Sequence, residues 1–211
     1  MKADTPEGHP GLPRCPSDLE FRRAVALLAQ GGVVAFPTET FYGLAVDPFN
    51  EQALATLFRL KGRALQKPFL VLIQNEGQLF ELTDSVPSAY RPLMKSFWPG
   101  PLTLVFPAKT GLSSLLIGKS GGIGIRISPH PVAKRFGQLW GGPITATSAN
   151  LSGMPAARTA EEVLRFFGDG VSCILDGGQT PGGMSSTVVG LDHGKLQLLR
   201  AGVVDFSTLI R

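Results

Sequence analysis

The sequence predicts an α/β fold in which helices cover both faces of a mixed β-sheet. Amphipathic segments alternate with short, continuously apolar runs, and such runs are typical of strands that are buried on both sides. The 211 residues are 43% hydrophobic and only 17% charged, a composition typical of a globular protein. The 26 glycines and 17 prolines predict many turns between short elements.

Capping residues mark where the helices begin and end. Ser17 and Glu20 have the spacing of a capping box, and Thr159 and Glu162 have the same spacing later in the chain. Asn50 predicts the start of another helix, which Gly62 closes. The predicted helices are 21–30, 50–60, 76–82, 88–97, 131–139 and 159–167.

Short runs rich in branched apolar residues predict the strands. The first covers residues 33–36 and ends at Pro37, because proline cannot donate a hydrogen bond within a sheet. The other early strands are 69–73, 102–106, 123–127 and 144–147. The closing strands 173–175, 187–189 and 196–199 lie close together in sequence, with little room for crossover helices, and therefore predict a mixed rather than a parallel sheet.

The sequence predicts one folded domain. Residues 1–16 are polar and rich in proline, and we expect them to form a flexible lead-in to a single domain over 17–211. The apolar run 24–36 is too short to cross a bilayer and is interrupted by two glycines, and the N-terminus lacks an apolar signal segment. We therefore expect a soluble, cytoplasmic protein without a membrane partner.

Several familiar functional classes are disfavoured. Cys15 and Cys173 are too few for a disulfide framework or a cysteine-rich zinc site, and the three histidines lie far apart in sequence, so we expect no protein-bound metal. The segment 118–120 resembles the end of a phosphate-binding P-loop, but Ser113 stands where that loop needs glycine. The sequence also lacks the nucleophile elbow of serine hydrolases.

Polar residues follow the ends of several predicted strands and helices. Cationic, hydroxyl and amide groups of this kind suit a phosphate chain and a carboxylate, and the net charge of +4 permits such an anionic ligand. Each group also has a plain structural explanation, such as a helix-end charge, a cap, or a turn with Glu39 in solvent. The candidates are Thr38, Thr40, Lys61, Arg63, Lys67, Arg126, Ser148, Asn150 and Arg200.

Arg126 is the most informative of these candidates, because it lies inside an apolar predicted strand. Burying an unpaired guanidinium costs several kcal/mol, by rough estimates of charge desolvation. We therefore expect Arg126 to have an anionic partner. That partner is either a structural carboxylate of the chain or the carboxylate of a ligand.

Seven motifs in order resemble the YrdC/Sua5 family over about residues 17–206. The resemblance includes the pair Lys-x-Arg at Lys61 and Arg63 and Ser-x-Asn at Ser148 and Asn150. The chain length resembles that of the single-domain form of the family. The motifs are PTETFYGLA (37–45), KGRALQKPF (61–69), WPGPLTLV (98–105), IRISPHPVA (125–133), SANLSG (148–153), STVV (186–189) and RAG (200–202).

The resemblance implies a twisted mixed sheet flanked by helices, with a basic concave cleft. It implies the activity of an L-threonylcarbamoyladenylate synthase, which forms threonylcarbamoyl-AMP and pyrophosphate from L-threonine, bicarbonate and ATP. A partner complex would then transfer the threonylcarbamoyl group to adenosine 37 of ANN-decoding tRNAs, giving t6A. Mg²⁺ is expected as a cofactor, bound mainly through ATP.

The resemblance also implies roles for particular residues. Threonine would contact Thr38, Thr40, Arg126 and Ser186, with Arg126 on its α-carboxylate. The catalytic candidates are Lys61, Arg63, Ser148 and Asn150. The nucleotide-binding candidates are Arg63, Lys67, Ser148, Asn150 and Arg200. Relatives often have a different loop after Arg63, and the glycine-rich stretch 180–184 is a candidate mobile cover for the cleft.

Two other functions are compatible with the same residues. The basic cleft could bind double-stranded or ribosomal RNA, although the sequence lacks the interleaved aromatic residues of common RNA-binding modules. Alternatively, the chain could be a paralogue that keeps the nucleotide chemistry and acts on another carbamoyl-type substrate. A direct contact with tRNA is compatible with any of these functions.

Overall fold

The structure, a computed structural model, describes residues 15–62 and 68–210. Its helices are α1 (Asp18–Ala29), α2 (Glu51–Lys61), α3 (Leu79–Leu82), α4 (Tyr90–Phe97), α5 (Pro131–Trp140) and α6 (Ala160–Phe167). Its strands are β1 (Val34–Pro37), β2 (Tyr42–Ala45), β3 (Val71–Leu72), β4 (Leu102–Pro107), β5 (Gly122–Arg126), β6 (Ile144–Thr145), β7 (Thr147–Ser148), β8 (Cys173–Ile174), β9 (Thr187–Asp192) and β10 (Lys195–Arg200). Short 3-10 helices cover Glu76–Gln78, Gly168–Gly170 and Phe206–Thr208.

The strands form two mixed sheets rather than the single sheet predicted from sequence. A four-stranded sheet has the order β7-β2-β1-β8, and a six-stranded sheet has the order β10-β9-β4-β5-β3-β6. Parallel and antiparallel pairs occur in both, as in the parallel pair β1–β8 and the antiparallel pair β1–β2. The α/β class and the mixed character of the sheets are therefore confirmed.

The predicted strand 144–147 shows how the two sheets are joined. Its first half is β6, which pairs with β3 of the larger sheet, and its second half is β7, which pairs with β2 of the smaller sheet. Ala146 lies between them, and its N–H donates to the Leu70 carbonyl at 2.7 Å. One extended segment thus belongs to both sheets. Its pattern of apolar residues is the same as that of a single strand, so the sequence could not show the change of sheet.

Strand β2 was not predicted, because it directly follows a polar segment that resembles a loop. Its four residues are all buried, and they pair with β1 through a tight turn over residues 38–41. Tyr42 at its start is completely buried, and its hydroxyl donates to the Gly178 carbonyl at 2.8 Å. The polar sequence after Pro37 is therefore a reversal of direction between two buried strands.

The capping signals were confirmed at two of three helices. Ser17 and Glu20 form both bonds of the capping box at α1, and Asn50 and Gly62 bound α2 as predicted. At α6 the Thr159 hydroxyl accepts from the Glu162 N–H at 3.2 Å. The Glu162 carboxylate, however, accepts from the Arg158 N–H at 2.6 Å, so the predicted reciprocal bond is replaced by one to the preceding residue.

Two apolar clusters hold the elements in place. The larger cluster contains residues of both sheets together with the inner faces of α2, α3, α4 and α6. The smaller one packs α1 and α5 against the smaller sheet, around Phe36 and Phe136, whose ring centroids are 5.7 Å apart. The predicted lead-in 1–16 lies mostly outside the described residues, and the single-domain boundary stays a prediction. No helix in the described part of the chain is long and apolar enough to cross a bilayer.

We expect Asn50→Ala to lower the free energy of unfolding by about 1 kcal/mol, because the Asn50 side chain caps α2. Its Oδ1 accepts from the Ala53 N–H at 3.0 Å. Urea denaturation followed by circular dichroism measures the change. Gln52→Ala, an exposed position in the same first turn, is the matched control and should change stability by less than about 0.5 kcal/mol. Equal stability of the two variants would contradict the capping role.

Candidate active site

A cleft opens where the two sheets meet. Its volume, including open solvent, is about 530 Å³. The turn between β1 and β2, strands β2, β5 and β7, the segment before β9 and the end of β10 all contribute to its wall. The lining includes six of the predicted site residues, namely Thr38, Thr40, Arg126, Ser148, Ser186 and Arg200.

The turn between β1 and β2 presents two hydroxyl groups to the cleft. Thr38 N–H and Thr38 Oγ1 both donate to the Phe41 carbonyl, at 3.1 and 2.8 Å. The Thr40 N–H donates to Thr38 Oγ1 at 3.3 Å, and the two hydroxyl oxygens are 3.1 Å apart. Both threonines are buried, so their hydroxyl groups are fixed in direction before any ligand binds.

Arg126, the last residue of β5, also lines the cleft and is only 5% exposed. Its guanidinium forms an ion pair with the carboxylate of Glu39, the residue between the two threonines. Burial and the nearby positive charge of Arg200 lower the pKa of Arg126 to about 9, which leaves the guanidinium charged at neutral pH. A buried charged fork with a face in the cleft is suited to bind a carboxylate.

Ser186 and Arg200 form the third part of the wall. The Arg200 guanidinium donates to the Ser186 carbonyl at 2.7 Å and to the Ser186 hydroxyl at 3.0 Å. That hydroxyl also lies 2.9 Å from the hydroxyl of Thr103, which is fully buried in β4. Arg200 as a whole is exposed, but its guanidinium packs against Ser186. The resulting desolvation lowers the pKa of Arg200.

Lys61 organises the Ser148–Asn150 segment from behind. Its side chain, 2% exposed at the end of α2, donates to the carbonyl groups of Ser148 and Asn150, the latter at 2.8 Å, and to Asn150 Oδ1 at 3.2 Å. The Ser148 hydroxyl donates to the same Oδ1 at 2.7 Å, and the Asn150 side-chain amide donates to the Met154 carbonyl at 2.5 Å. Lys61 of the predicted Lys-x-Arg pair is therefore joined by direct hydrogen bonds to both members of the Ser-x-Asn pair.

The sequence argument missed several residues that contact the lining of the cleft from behind it or hold such a contact in place. It weighed Glu39 as a solvated turn residue, whereas the Glu39 side chain is only 15% exposed and pairs with Arg126. Thr103 and Ser128 were also missed. Thr103 lies within β4, and Ser128 follows the end of β5, but each acts through a residue that is more than 80 positions away in sequence. The predicted candidates Arg63 and Lys67 lie outside the described residues.

The glycine-rich stretch 180–184 lies against the turn between β1 and β2. The Gly182 N–H donates to the Thr40 carbonyl at 2.8 Å, and the Thr180 carbonyl accepts from Arg158 at 3.4 Å. Just before it, the Gly177 N–H donates to the Tyr42 hydroxyl at 3.2 Å. These bonds anchor the segment beside the cleft, and its role as a mobile cover stays a prediction.

The chain matches known proteins over most of its length. Residues 26–202 match a family model described as Sua5_yciO_yrdC, telomere recombination. A threonylcarbamoyl-AMP synthase from Pyrococcus abyssi is 38% identical over 183 residues, which are 87% of this chain and 54% of that protein. One from Photobacterium profundum is 39% identical over 158 residues, which are 74% of this chain and 85% of that protein. The chain thus spans about half the length of the Pyrococcus relative.

A solved structure shows the same fold. The crystal structure of P. abyssi Sua5 complexed with L-threonine superposes with a TM-score of 0.84 and 37% sequence identity. The match covers 88% of this chain and 55% of that one. The two-sheet architecture is therefore the one found in these proteins.

We expect Lys61→Met to lower the free energy of unfolding by about 2–3 kcal/mol, because three acceptors of the 148–150 segment lose a buried charged donor. Chemical denaturation measures the loss. Lys95→Met, an exposed position in the last turn of α4, is the matched control and should be nearly neutral. A Lys61→Met variant as stable as the wild type would show that this lysine does not hold the segment.

Proposed function

The chain belongs to the Sua5/YciO/YrdC family, and from this premise we propose that it is an L-threonylcarbamoyladenylate synthase. In the proposed reaction L-threonine, bicarbonate and ATP give threonylcarbamoyl-AMP and pyrophosphate. The observation that carries the proposal is the buried, charged Arg126 beside the fixed hydroxyl groups of Thr38, Thr40 and Ser186 in one cleft. These groups complement the carboxylate, amine and hydroxyl of a small hydroxy amino acid.

The amino acid would bind at the deep side of the cleft. Its carboxylate would lie on the Arg126 guanidinium, and its polar groups would reach the hydroxyls of Thr38, Thr40 and Ser186. Leu70 and Ala146 provide the apolar part of the same wall, against which a methyl group can pack. The related Sua5 from P. abyssi has been crystallised in complex with L-threonine, which supports this assignment.

The phosphate chain of ATP would bind in the same cleft, next to the amino acid. Arg200, whose guanidinium is bonded to Ser186, would stand between the two substrates, and Ser148, which lines the cleft beside its partner Asn150, would offer a hydroxyl group to the phosphates. Arg63 and Lys67, adjacent in sequence to the end of α2, are further candidates for the phosphates. In this arrangement Lys61 would fix the position of the Ser148–Asn150 segment through its hydrogen bonds to the Ser148 and Asn150 carbonyl groups.

The chemistry requires positioning more than a protein nucleophile. The amine of threonine would add to carbon dioxide formed from bicarbonate, giving a carbamate. An oxygen of the carbamate would then attack the α-phosphorus of ATP, and the bond to the β-phosphate oxygen would break to release pyrophosphate. Arg126 would hold the attacking molecule, and Arg200 would stabilise charge that develops on the phosphates. The described residues that line the cleft include no histidine or cysteine, which is consistent with a reaction that uses no protein nucleophile of these types.

Mg²⁺ is proposed as a cofactor carried by the nucleotide. Within the described residues no group of three or more histidine, cysteine, aspartate or glutamate side chains is placed to hold a metal ion. The donor set of the cleft is cationic and hydroxylic, which suits the phosphate oxygens rather than the metal itself. When bound through ATP, Mg²⁺ would neutralise charge on the departing pyrophosphate.

The product is a reactive mixed anhydride, so it would be passed to a second enzyme. We propose that a tRNA threonylcarbamoyl transferase complex consumes it to form t6A at position 37 of ANN-decoding tRNAs in the cytoplasm. The names of the relatives support a synthase rather than the RNA-binding alternative. They also support threonine rather than another carbamoyl-type substrate.

The proposal is tested by measuring pyrophosphate release from ATP with L-threonine and bicarbonate present together and singly. We expect release only when both are present, together with a mass corresponding to threonylcarbamoyl-AMP. Release with another amine would point to the paralogue. Absence of release from a folded protein that binds RNA in a salt-sensitive manner would favour the RNA-binding alternative.

We expect Arg126→Ala to abolish threonine binding while ATP still binds, as measured by isothermal titration calorimetry. Arg126→Lys keeps a charge beside Glu39 and should bind threonine about tenfold more weakly, since an ammonium cannot form two parallel bonds to a carboxylate. Arg135→Ala removes an exposed arginine that pairs with Asp18 and serves as the control. Unchanged threonine affinity in Arg126→Ala would exclude this arginine from the amino-acid site.

A further inference from the structure

Glu39 is the acidic residue that forms an ion pair with the buried Arg126 guanidinium. It occupies the turn between β1 and β2, and its side chain is 15% exposed. Its neighbours Thr38 and Thr40 line the cleft, but Glu39 is absent from the residues that form the lining. Glu39 therefore pairs with Arg126 without lining the cleft itself, whereas Arg126 is one of the lining residues.

We infer that Glu39 is a positioning residue, which fixes the Arg126 guanidinium in the orientation that receives the carboxylate of the amino-acid substrate. The inference rests on the proposed function for the identity of that substrate. It assigns Glu39 no contact with threonine, ATP or the reacting atoms. The role is to set the affinity for the amino acid through Arg126.

The backbone of Glu39 is held in place by its own turn. The residues on either side are tied together by the bond from the Thr40 N–H to Thr38 Oγ1, and the Thr38 N–H closes the turn on the Phe41 carbonyl. A third bond, from the Gly182 N–H to the Thr40 carbonyl, ties the turn to the neighbouring segment. The Cα of Glu39 thus has little freedom to follow a moving arginine.

The carboxylate is held at its far end as well. Ser128 donates its hydroxyl hydrogen to Glu39 Oε2 at 2.5 Å, and the Ser128 oxygen in turn accepts from the His130 N–H at 3.2 Å. Ser128 lies two residues beyond the end of β5, so this anchor is in the segment that continues directly from Arg126. Glu39 therefore connects the turn between β1 and β2 to the end of β5 and to the segment that follows it.

The charges around Arg126 explain why such a partner is needed. Burial opposes the charged guanidinium, and Arg200 adds a like charge nearby. Glu39 offsets both effects, which keeps the guanidinium charged and in place without a ligand. The two arginines and one carboxylate leave a net charge of about +1, which a substrate carboxylate neutralises.

The test compares four variants of the full chain. Glu39→Gln removes the charge and keeps the size, Glu39→Asp keeps the charge on a shorter side chain, and Ser128→Ala removes only the second anchor. Glu51→Gln is the matched control, because Glu51 also accepts from a serine hydroxyl, that of Ser113 at 3.0 Å, outside the described cleft lining. Calorimetry gives the affinities for L-threonine and ATP separately, and thermal unfolding reports the stability of each variant.

We expect Glu39→Gln to weaken L-threonine binding about tenfold or more while the affinity for ATP stays within about twofold. Ser128→Ala should show the same selective loss at a smaller size, about two- to fivefold, and Glu39→Asp should recover part of the affinity. Glu51→Gln should leave both affinities unchanged. In turnover assays the loss should appear in KM for threonine rather than in KM for ATP.

Three results would overturn the inference. Tighter threonine binding in Glu39→Gln would show that Glu39 competes with the substrate for Arg126. An unchanged threonine affinity in a less stable variant would show a purely structural role. The third test is a crystal structure of Glu39→Gln, which is informative even if the wild type binds no threonine and the proposed function fails. We expect the guanidinium of Arg126 to leave its wild-type position in this variant. An unmoved guanidinium would contradict the positioning role.

Discussion

The buried ion pair between Arg126 and Glu39 is the interaction on which the site depends. It joins the end of β5 in the larger sheet to the turn between β1 and β2 in the smaller one. An arginine only 5% exposed would be strongly destabilising without a carboxylate, so the pair constrains how closely the two sheets approach. The cleft lies along this junction, and Arg126 is one of the residues that line it.

A second buried cation organises the other side of the cleft in a similar way. The Lys61 ammonium is bonded to three acceptors of the Ser148–Asn150 segment, and the Arg126 guanidinium is paired with one carboxylate. Both cations lie at the ends of regular elements, α2 and β5, and both reach across to a neighbouring loop. The site is therefore a set of loops fixed in advance by buried charge, which suits a reaction that depends on aligning two substrates.

The local features were predictable from sequence, and the long-range ones were not. The capping box at Ser17 and the bounds of α2 at Asn50 and Gly62 depend on residues three to twelve positions apart, and both were confirmed. The second sheet was missed because the strand over 144–147 changes sheets at Ala146, which depends on partners far away in sequence. Arg126 was predicted to need an anion, but the choice of Glu39 required knowing that two residues 87 positions apart in sequence lie next to each other in the fold.

The most direct test of this account is a crystal structure of the protein soaked with L-threonine. The account predicts one molecule between the two sheets, with its carboxylate on Arg126, its polar groups within reach of Thr38, Thr40 and Ser186, and Glu39 still paired behind the arginine. Threonine bound elsewhere, or bound in the cleft with its carboxylate away from Arg126, would contradict the claim that this buried guanidinium defines the site.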